Sequence, residues 1–189
     1  MNNLKQLLTA LFFMLICFSA MPNLAADLSL GEQKASICSG CHGIKGKSGN
    51  GQRPILASQQ VEYLINQMKA YKAGARNNPM MQSMAINLRS NDIENLAEFY
   101  ASLPPVSAGG EPALAKSGQT KATLCLGCHG SEAEGSGQIP RLAGQHPGYL
   151  ERQLNYFKTG VRKSEHMEVI AENLTEADIK ELAAYFGSL

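Results

Sequence analysis

Tryptophan is absent from this sequence, and the other aromatic residues are scarce. Aromatic residues make up 6% of the 189 positions. A small domain with so few aromatics has a limited apolar core of its own, and a buried cofactor could supply the missing apolar mass. The length of the chain allows one large domain or two small ones.

The sequence also lacks an excess of charge of either sign. Its 17 Lys and Arg residues nearly balance its 16 Asp and Glu residues, and Lys5 is the only charged residue among the first 26. Without residues 1–26 the chain is formally neutral. No basic stripe indicates nucleic-acid binding and no polybasic flank indicates binding to lipid headgroups, so we expect no nucleic acid among its partners.

Long hydrophobic runs are lacking except at the N-terminus. Residues 7–20 are almost entirely apolar, and the small residues Ala25 and Ala26 follow. The run is shorter than the roughly 20 residues that a membrane-spanning helix needs. We therefore predict that residues 1–26 are a signal peptide that is cleaved on export, with a retained N-terminal anchor as the alternative.

Four cysteines remain beyond this segment, and they form two identical patterns. Each has the spacing C-x-x-C-H, which is typical of c-type haem attachment: Cys38-Ser-Gly-Cys41-His42 and Cys125-Leu-Gly-Cys128-His129. Two thiols three positions apart face the same side of a helical turn and can add to the two vinyl groups of haem. The His that follows is then held beneath the iron as its proximal ligand.

These patterns predict two covalently bound haem c groups, each with its iron, and make the c-type haem maturation machinery a partner. The cysteines predicted to form thioether bonds to haem are Cys38, Cys41, Cys125 and Cys128. The predicted proximal ligands of the irons are His42 and His129. Three alternatives compete. A redox-active C-x-x-C pair normally lies in a βαβ unit, which is not evident here. A zinc site made from both pairs would leave the two histidines unexplained, and disulfides between such close neighbours are strained.

The two haem motifs lie within a longer internal repeat. Residues 31–43 match residues 118–130 at an offset of 87, and after a one-residue gap residues 49–97 match residues 135–183 at an offset of 86. The matches bring Cys, His, Pro and Met into register together, which shared helical composition would not do. The chain therefore contains an internal duplication.

A stretch rich in Pro and Gly separates the two halves. Pro104 and Pro105 end the preceding helix, and Gly109, Gly110 and Pro112 delay the next one. We predict a first domain at residues 27–103, a linker at 104–112 and a second domain at 113–189.

The pattern of apolar residues predicts an all-α fold, since no segment alternates like a β-strand over a useful length. Two pairs of helices are predicted at residues 30–38 and 117–125, and at 61–73 and 148–159. In the third pair the apolar residues have the spacing i, i+3, i+4, i+7: Ile93, Leu96, Ala97 and Tyr100, then Ile179, Leu182, Ala183 and Phe186. Thr175 and Asp178 resemble a capping box at the start of the last helix.

A methionine in each domain is the predicted second axial ligand. Met167 is the only candidate in the second domain and lies seven residues before Leu174, as Met81 lies before Leu88. The repeat thus selects Met81 from several methionines in the first domain, although a Met beside an apolar helix can also simply fill the core. Thioether sulfur opposite imidazole raises the reduction potential and fills both axial positions, which suits an electron carrier better than a catalyst.

Other polar and aromatic residues carry weaker predictions. The carbonyls of Pro54 and Pro140 could accept from the ring N–H of the two proximal histidines, or the prolines could merely preset a turn. Tyr63 and Tyr149 are expected in the core or beside haem, and His146 and His166 at the surface. Lys72, Arg76, Lys158 and Arg162 are expected in solvent by default, with the haem propionates as the alternative.

With these residues in hand, the chain resembles the cytochrome c4 family of dihaem class I cytochromes c. The likeness adds the pattern Pro-x-Leu-Ala-x-Gln, at residues 140–145 and at 54–59, where Ser58 replaces the usual Gly. The resemblance implies two tandem class I cytochrome c domains related by a pseudo-twofold axis, with the haem propionates facing each other near the interface. It also implies His42/Met81 and His129/Met167 ligation, with Pro54 and Pro140 orienting the histidines.

The resemblance further implies a periplasmic carrier, sometimes loosely membrane-associated. It would take electrons from a quinol:cytochrome c reductase or similar quinol-oxidising complex and feed a haem–copper oxidase. We therefore predict an electron-transfer protein of a respiratory chain rather than an enzyme. A dihaem peroxidase would need an iron with an open coordination site, and a dedicated subunit of a larger oxidoreductase is the third hypothesis.

Overall fold

The computed structural model describes residues 26–189, so the predicted signal peptide, apart from Ala26, lies outside the described residues. The described chain forms the following helices: α1 Leu28–Ala35, α2 Ser39–His42, a 3-10 helix Ile44–Gly46, α3 Val61–Lys72, α4 Pro79–Ala85, α5 Ser90–Ala101, α6 Pro112–Lys121, α7 Thr123–His129, α8 Pro147–Lys158, α9 Glu165–Glu172 and α10 Glu176–Ser188. Between residues 26 and 189, β-structure is limited to one isolated bridge between Ser136 and Ile139. The all-α prediction is confirmed.

The helices form two equivalent sets, each with its own apolar core. Helix α1 packs against α5 in the first set, and α6 packs against α10 in the second. All eight residues of the predicted apolar stripes on α5 and α10 are buried, and these two helices form the centre of the cores. The capping box predicted for Thr175 and Asp178 is present.

A glycine at each helix crossing explains why α1 and α6 approach their partners so closely. A Cβ atom on Gly31 would lie 2.2 Å from the Asn95 carbonyl oxygen on α5. A Cβ atom on Gly118 would lie 2.0 Å from the Glu181 carbonyl oxygen on α10. The repeat keeps glycine at both positions because any side chain there would separate the helices.

The helices that lead to the haem motifs begin earlier than predicted. The Asp27 carboxylate accepts from the backbone N–H of Ser29 and Leu30, which starts α1 two residues before the predicted boundary. Glu111 caps α6 in the same way. Both helices end before the cysteines. The second motif lies wholly in the short helix α7, and the first lies in the short helix α2, with Cys38 as its N-cap residue.

The predicted linker packs against the second set of helices. The Ala108 N–H donates to the Gly144 carbonyl at 2.9 Å, and the Ser107 hydroxyl donates to the Gly187 carbonyl at 3.0 Å. Pro112 does not delay the helix but is its first residue, because the first turn needs no N–H donor at that position. None of the helices within residues 26–189 is both long and apolar enough to cross a membrane.

Ser58 and Gly144 occupy equivalent positions, and both have a left-handed backbone. Their φ angles are 59° and 75°. Each N–H donates at 2.8 Å to a carbonyl of the last helix of its own domain, Tyr100 for Ser58 and Phe186 for Gly144. Serine is therefore held in a conformation that costs an L-residue about 1–2 kcal/mol, where glycine has no such cost.

We expect the substitution Ser58→Gly to raise the free energy of unfolding by about 0.5 kcal/mol, because the relief of strain exceeds the added entropy of the unfolded chain. Gly144→Ser should lower it by about 2 kcal/mol, since a Cβ there would lie 2.1 Å from the Val106 carbonyl oxygen. Guanidinium denaturation followed by helical circular dichroism measures both changes. A loss of stability in Ser58→Gly would contradict this account.

Candidate haem sites

The two motif histidines end the short helices α2 and α7 and are buried to the same degree. Each is 7% exposed. The Nδ1 atom of His42 lies 2.9 Å from the Pro54 carbonyl oxygen, and that of His129 lies 2.8 Å from the Pro140 carbonyl oxygen. A carbonyl can only accept, so Nδ1 carries the proton in both rings.

Burial makes the neutral form of both imidazoles dominant. It lowers the pKa of His42 and that of His129 below the ordinary value, although the hydrogen bonds to Pro54 and Pro140 oppose this effect. A neutral ring that is protonated at Nδ1 has a free lone pair at Nε2. This is the state in which imidazole binds a metal.

The four thiols lie beside these histidines and are not joined in disulfides in the described chain. Cys38 and Cys125 are half-buried, and burial raises the pKa of both thiols. Cys41 and Cys128 are exposed. Among residues 26–189, no three His, Cys, Asp or Glu side chains converge in a geometry that could hold a metal ion, which counts against the zinc alternative.

Met81 and Met167 occupy the same position in equivalent short helices, α4 and α9. The Met81 N–H donates to the Asn78 side chain at 3.0 Å, and the Met167 N–H donates to Ser164 Oγ at 3.4 Å. Both caps place the methionine at the third position of its helix, and both methionines are half-buried. The sequence does not predict these two helices, because they are too short to show an apolar period.

The neighbouring methionines of the first domain are in different surroundings. Met80 is 49% exposed and its sulfur lies 3.4 Å from Nη1 of Arg53. Met84 is 39% exposed. The repeat and the cap of α4 therefore both distinguish Met81 from them.

A cavity of about 790 Å³ lies in the first domain and reaches the domain interface. Its lining includes Cys38, Cys41, His42, Met81 and Pro54. The volume is within the range of sites that enclose a cofactor, and most of the lining is apolar. All residues predicted to hold the first haem therefore face one space of suitable size.

Two arginines at the interface form a symmetric cluster with side chains of both domains. Arg76 donates to Gln67 at 2.7 Å, Gln153 at 2.7 Å and Tyr149 at 3.1 Å. Arg162 donates to Gln153 at 2.8 Å, Gln67 at 2.9 Å and Tyr63 at 3.0 Å. The residues of the two halves are related by the repeat offset, as a pseudo-twofold axis requires.

Within residues 26–189, the positive charge of this cluster has no carboxylate to neutralise it. In the described part of the chain no carboxylate lies within salt-bridge distance of Arg76 or Arg162. Burial alone would raise the pKa of Tyr63, but the charges of Arg162 and Arg76 outweigh it and hold that pKa below its ordinary value. Both guanidiniums line the cavity. One buried and one half-buried cation beside a cavity favour the binding of anions there, and the propionates of haem fit that requirement.

The prediction that these arginines face solvent was wrong, since Arg76 is 9% exposed and Arg162 is half-buried. Lys72 and Lys158 are exposed as predicted. His166 is also exposed, whereas His146 is half-buried at the interface, where Nε2 donates to the Ser48 carbonyl at 2.8 Å. A histidine or arginine at a domain interface cannot be told from a surface one until the docking of the domains is known.

Comparison with known proteins agrees with this architecture. The family model for cytochrome c matches residues 31–104 and 115–189. Cytochrome c4 of Azotobacter vinelandii is 31% identical, with 98% of this chain and 99% of that protein covered. The structure of reduced recombinant cytochrome c4 from Pseudomonas stutzeri superposes with a TM-score of 0.82 at 32% identity, covering 87% of this chain and 100% of that one.

A relative with a more specific name is the thiosulfate dehydrogenase electron acceptor of Thiomonas intermedia, which is 30% identical and covers 86% of this chain and 83% of that protein. The two cytochrome c domains, the duplicated sites and these similarities agree on one assignment. The chain belongs to the cytochrome c4 family, electron-transfer cytochromes that hold two covalently bound haem c groups with their irons.

Proposed function

We propose that this protein carries single electrons in the periplasm and catalyses no reaction of its own. The observation that carries the proposal is that a buried, neutral His and a Met line one cavity in the first domain, and that the second domain repeats both residues at equivalent positions. When bound, the haem iron takes up or releases one electron. The chain would supply a His and a Met to each iron, and such ligation would leave no open site for peroxide.

Each residue type has a distinct part in this proposal. Cys38, Cys41, Cys125 and Cys128 would tether the porphyrins, His42 and His129 would bind the irons, and Met81 and Met167 would supply the second ligand of each iron. Pro54 and Pro140 hold the ring N–H of the two histidines and so fix the orientation and basicity of each imidazole. The internal repeat also supports the proposed domain boundaries, at residues 27–103 and 113–189.

We expect the substitution Met167→Ala to lower the midpoint potential of one haem by on the order of 100 mV, because a harder ligand or water replaces the thioether. The other potential should remain nearly unchanged. Spectroelectrochemical titration measures both, and the long-wavelength Met-to-iron band of the oxidised protein should fall to half.

Met80→Ala is the matched control for Met81→Ala, since the two residues are adjacent and Met80 is exposed. Met80→Ala should leave both potentials and the Met-to-iron band intact. Met81→Ala should remove half of the band, namely the half that remains in Met167→Ala. Loss of half of the band in Met80→Ala would show that Met80, and not Met81, is the ligand of the first haem.

Arg76 and Arg162 would bind the propionates of the two haems at the domain interface. Their guanidiniums line the cavity, are held in place by two glutamines and two tyrosines, and lack carboxylate partners in the described chain. Positive charge near a haem disfavours the ferric state, so the pair would raise both potentials.

The substitution Arg76→Gln should therefore lower the midpoint potentials, by on the order of 1 kcal/mol in the free energy of reduction. Because Arg76 is buried, the shift should persist in 0.5 M salt. Lys72→Gln removes an exposed cation of the same domain and should change the potentials little, and only at low salt. Equal effects of the two substitutions would argue against bound propionates at Arg76.

The proposed partners are a quinol-oxidising complex as electron donor and a haem–copper oxidase as acceptor, and the family resemblance supports this choice. A second candidate donor is a thiosulfate-oxidising dehydrogenase, favoured by the similarity to a relative named as the electron acceptor of such an enzyme. Both donors are compatible with a carrier that exchanges one electron at each haem.

We expect the ascorbate-reduced holoprotein to be reoxidised by membranes that contain a haem–copper oxidase, in a manner sensitive to cyanide. Stopped-flow spectra should also show reduction by quinol through a quinol-oxidising complex. Faster reduction by thiosulfate and its dehydrogenase would select the second donor. Rapid binding of carbon monoxide to the reduced protein, or turnover of peroxide, would refute the carrier function altogether.

A further inference from the structure

Two buried glutamines cross the interface, and each bonds to the backbone of a single residue in the other domain. Gln145 Oε1 accepts from the Ile55 N–H at 2.8 Å, and its Nε2 donates to the Ile55 carbonyl at 2.9 Å. Gln59 Oε1 accepts from the Arg141 N–H at 2.8 Å, and its Nε2 donates to the Arg141 carbonyl at 3.0 Å. Both glutamines are 6% exposed.

Each glutamine binds the residue that comes immediately after a proline, and the carbonyl of that proline faces His42 or His129. The Pro54 carbonyl and the Ile55 N–H belong to one planar peptide group. The oxygen of this group lies 2.9 Å from His42 Nδ1, and its N–H donates to Gln145 Oε1. An unbroken path of hydrogen bonds thus runs from the second domain to the imidazole of the first.

The same path exists in the opposite direction. The peptide group between Pro140 and Arg141 accepts from His129 at 2.8 Å and donates to Gln59 of the first domain at 2.8 Å. The exchange is reciprocal because Gln59 and Gln145, like the prolines, are equivalent in the repeat. Each domain thereby contacts the histidine environment of the other.

Hydrogen bonds at the two ends of one peptide group strengthen each other, because donation by the N–H increases the negative charge on the carbonyl oxygen. Each glutamine makes a second bond, to the carbonyl of Ile55 or Arg141, which fixes the position of the peptide group that precedes it. A more negative carbonyl holds the Nδ1–H more firmly and makes the imidazole more basic at Nε2. A more basic ligand stabilises ferric iron and lowers the reduction potential.

We propose that Gln145 and Gln59 are positioning residues that act across the interface. Gln145 of the second domain lowers the potential of the first haem, and Gln59 of the first domain lowers that of the second. This inference rests on the proposed ligation by His42 and His129. Docking of the domains is then itself a determinant of both potentials.

The test is Gln145→Met in the holoprotein, a substitution of similar size that removes both hydrogen bonds. The equilibrium constant for reduction of the first haem should rise about threefold, which is roughly 30 mV for one electron. The second haem should be unaffected. Gln59→Met should give the mirror result. The two haems are followed separately by the paramagnetic NMR signals of their methionine ligands, assigned with Met81→Ala and Met167→Ala.

Gln60→Met is the matched control. Gln60 also crosses the interface, donating to the Glu134 carbonyl at 2.8 Å, but it does not contact the residue that follows Pro140. It should leave both potentials unchanged. Amide hydrogen exchange supplies a readout that does not depend on the iron, since the Arg141 N–H, which donates to Gln59, should lose protection in Gln59→Met and keep it in Gln60→Met.

Three outcomes would overturn the inference: no shift in either Gln145→Met or Gln59→Met, a shift only of the haem in the substituted domain, or equal shifts in Gln59→Met and Gln60→Met. Failure of the proposed ligation is recognised separately. In that case the unsubstituted protein would lack the Met-to-iron band or the paramagnetic methionine signals before any glutamine is changed.

Discussion

A hydrogen bond of 2.8–2.9 Å joins Nδ1 of each proximal histidine to a proline carbonyl, and both domains are arranged around it. The bond requires that the short helix carrying the thiols and the loop carrying the proline meet at a fixed separation. Burial of the ring keeps it neutral, and the proline orients its free nitrogen.

The interface between the domains follows from the same requirement. Each proline loop is held from the far side by a glutamine of the other domain, while the paired arginines concentrate positive charge where the haem propionates are expected. These polar groups are buried, so they would be costly unless every donor found an acceptor. The glutamines and arginines of both halves find such acceptors across the interface, because the duplication repeats each contact.

Scarce aromatics and small apolar cores have a common physical reason. The two cores consist largely of Ala and Leu with a few aromatic side chains, and the first domain encloses a cavity of about 790 Å³. In a family that binds haem covalently, the porphyrin supplies the apolar mass that the chain lacks.

The sequence alone determined the family, the duplication, the haem motifs and the last helix of each domain, because these depend on local spacing and on comparison of the chain with itself. Only the tertiary structure decided which polar residues lie between the domains. Arg76, Arg162 and His146 look like surface residues in the sequence, since nothing local records how two domains dock. The short helices of Met81 and Met167 were also decided by their caps and packing, because a helix of seven or eight residues has too few turns to show an apolar period.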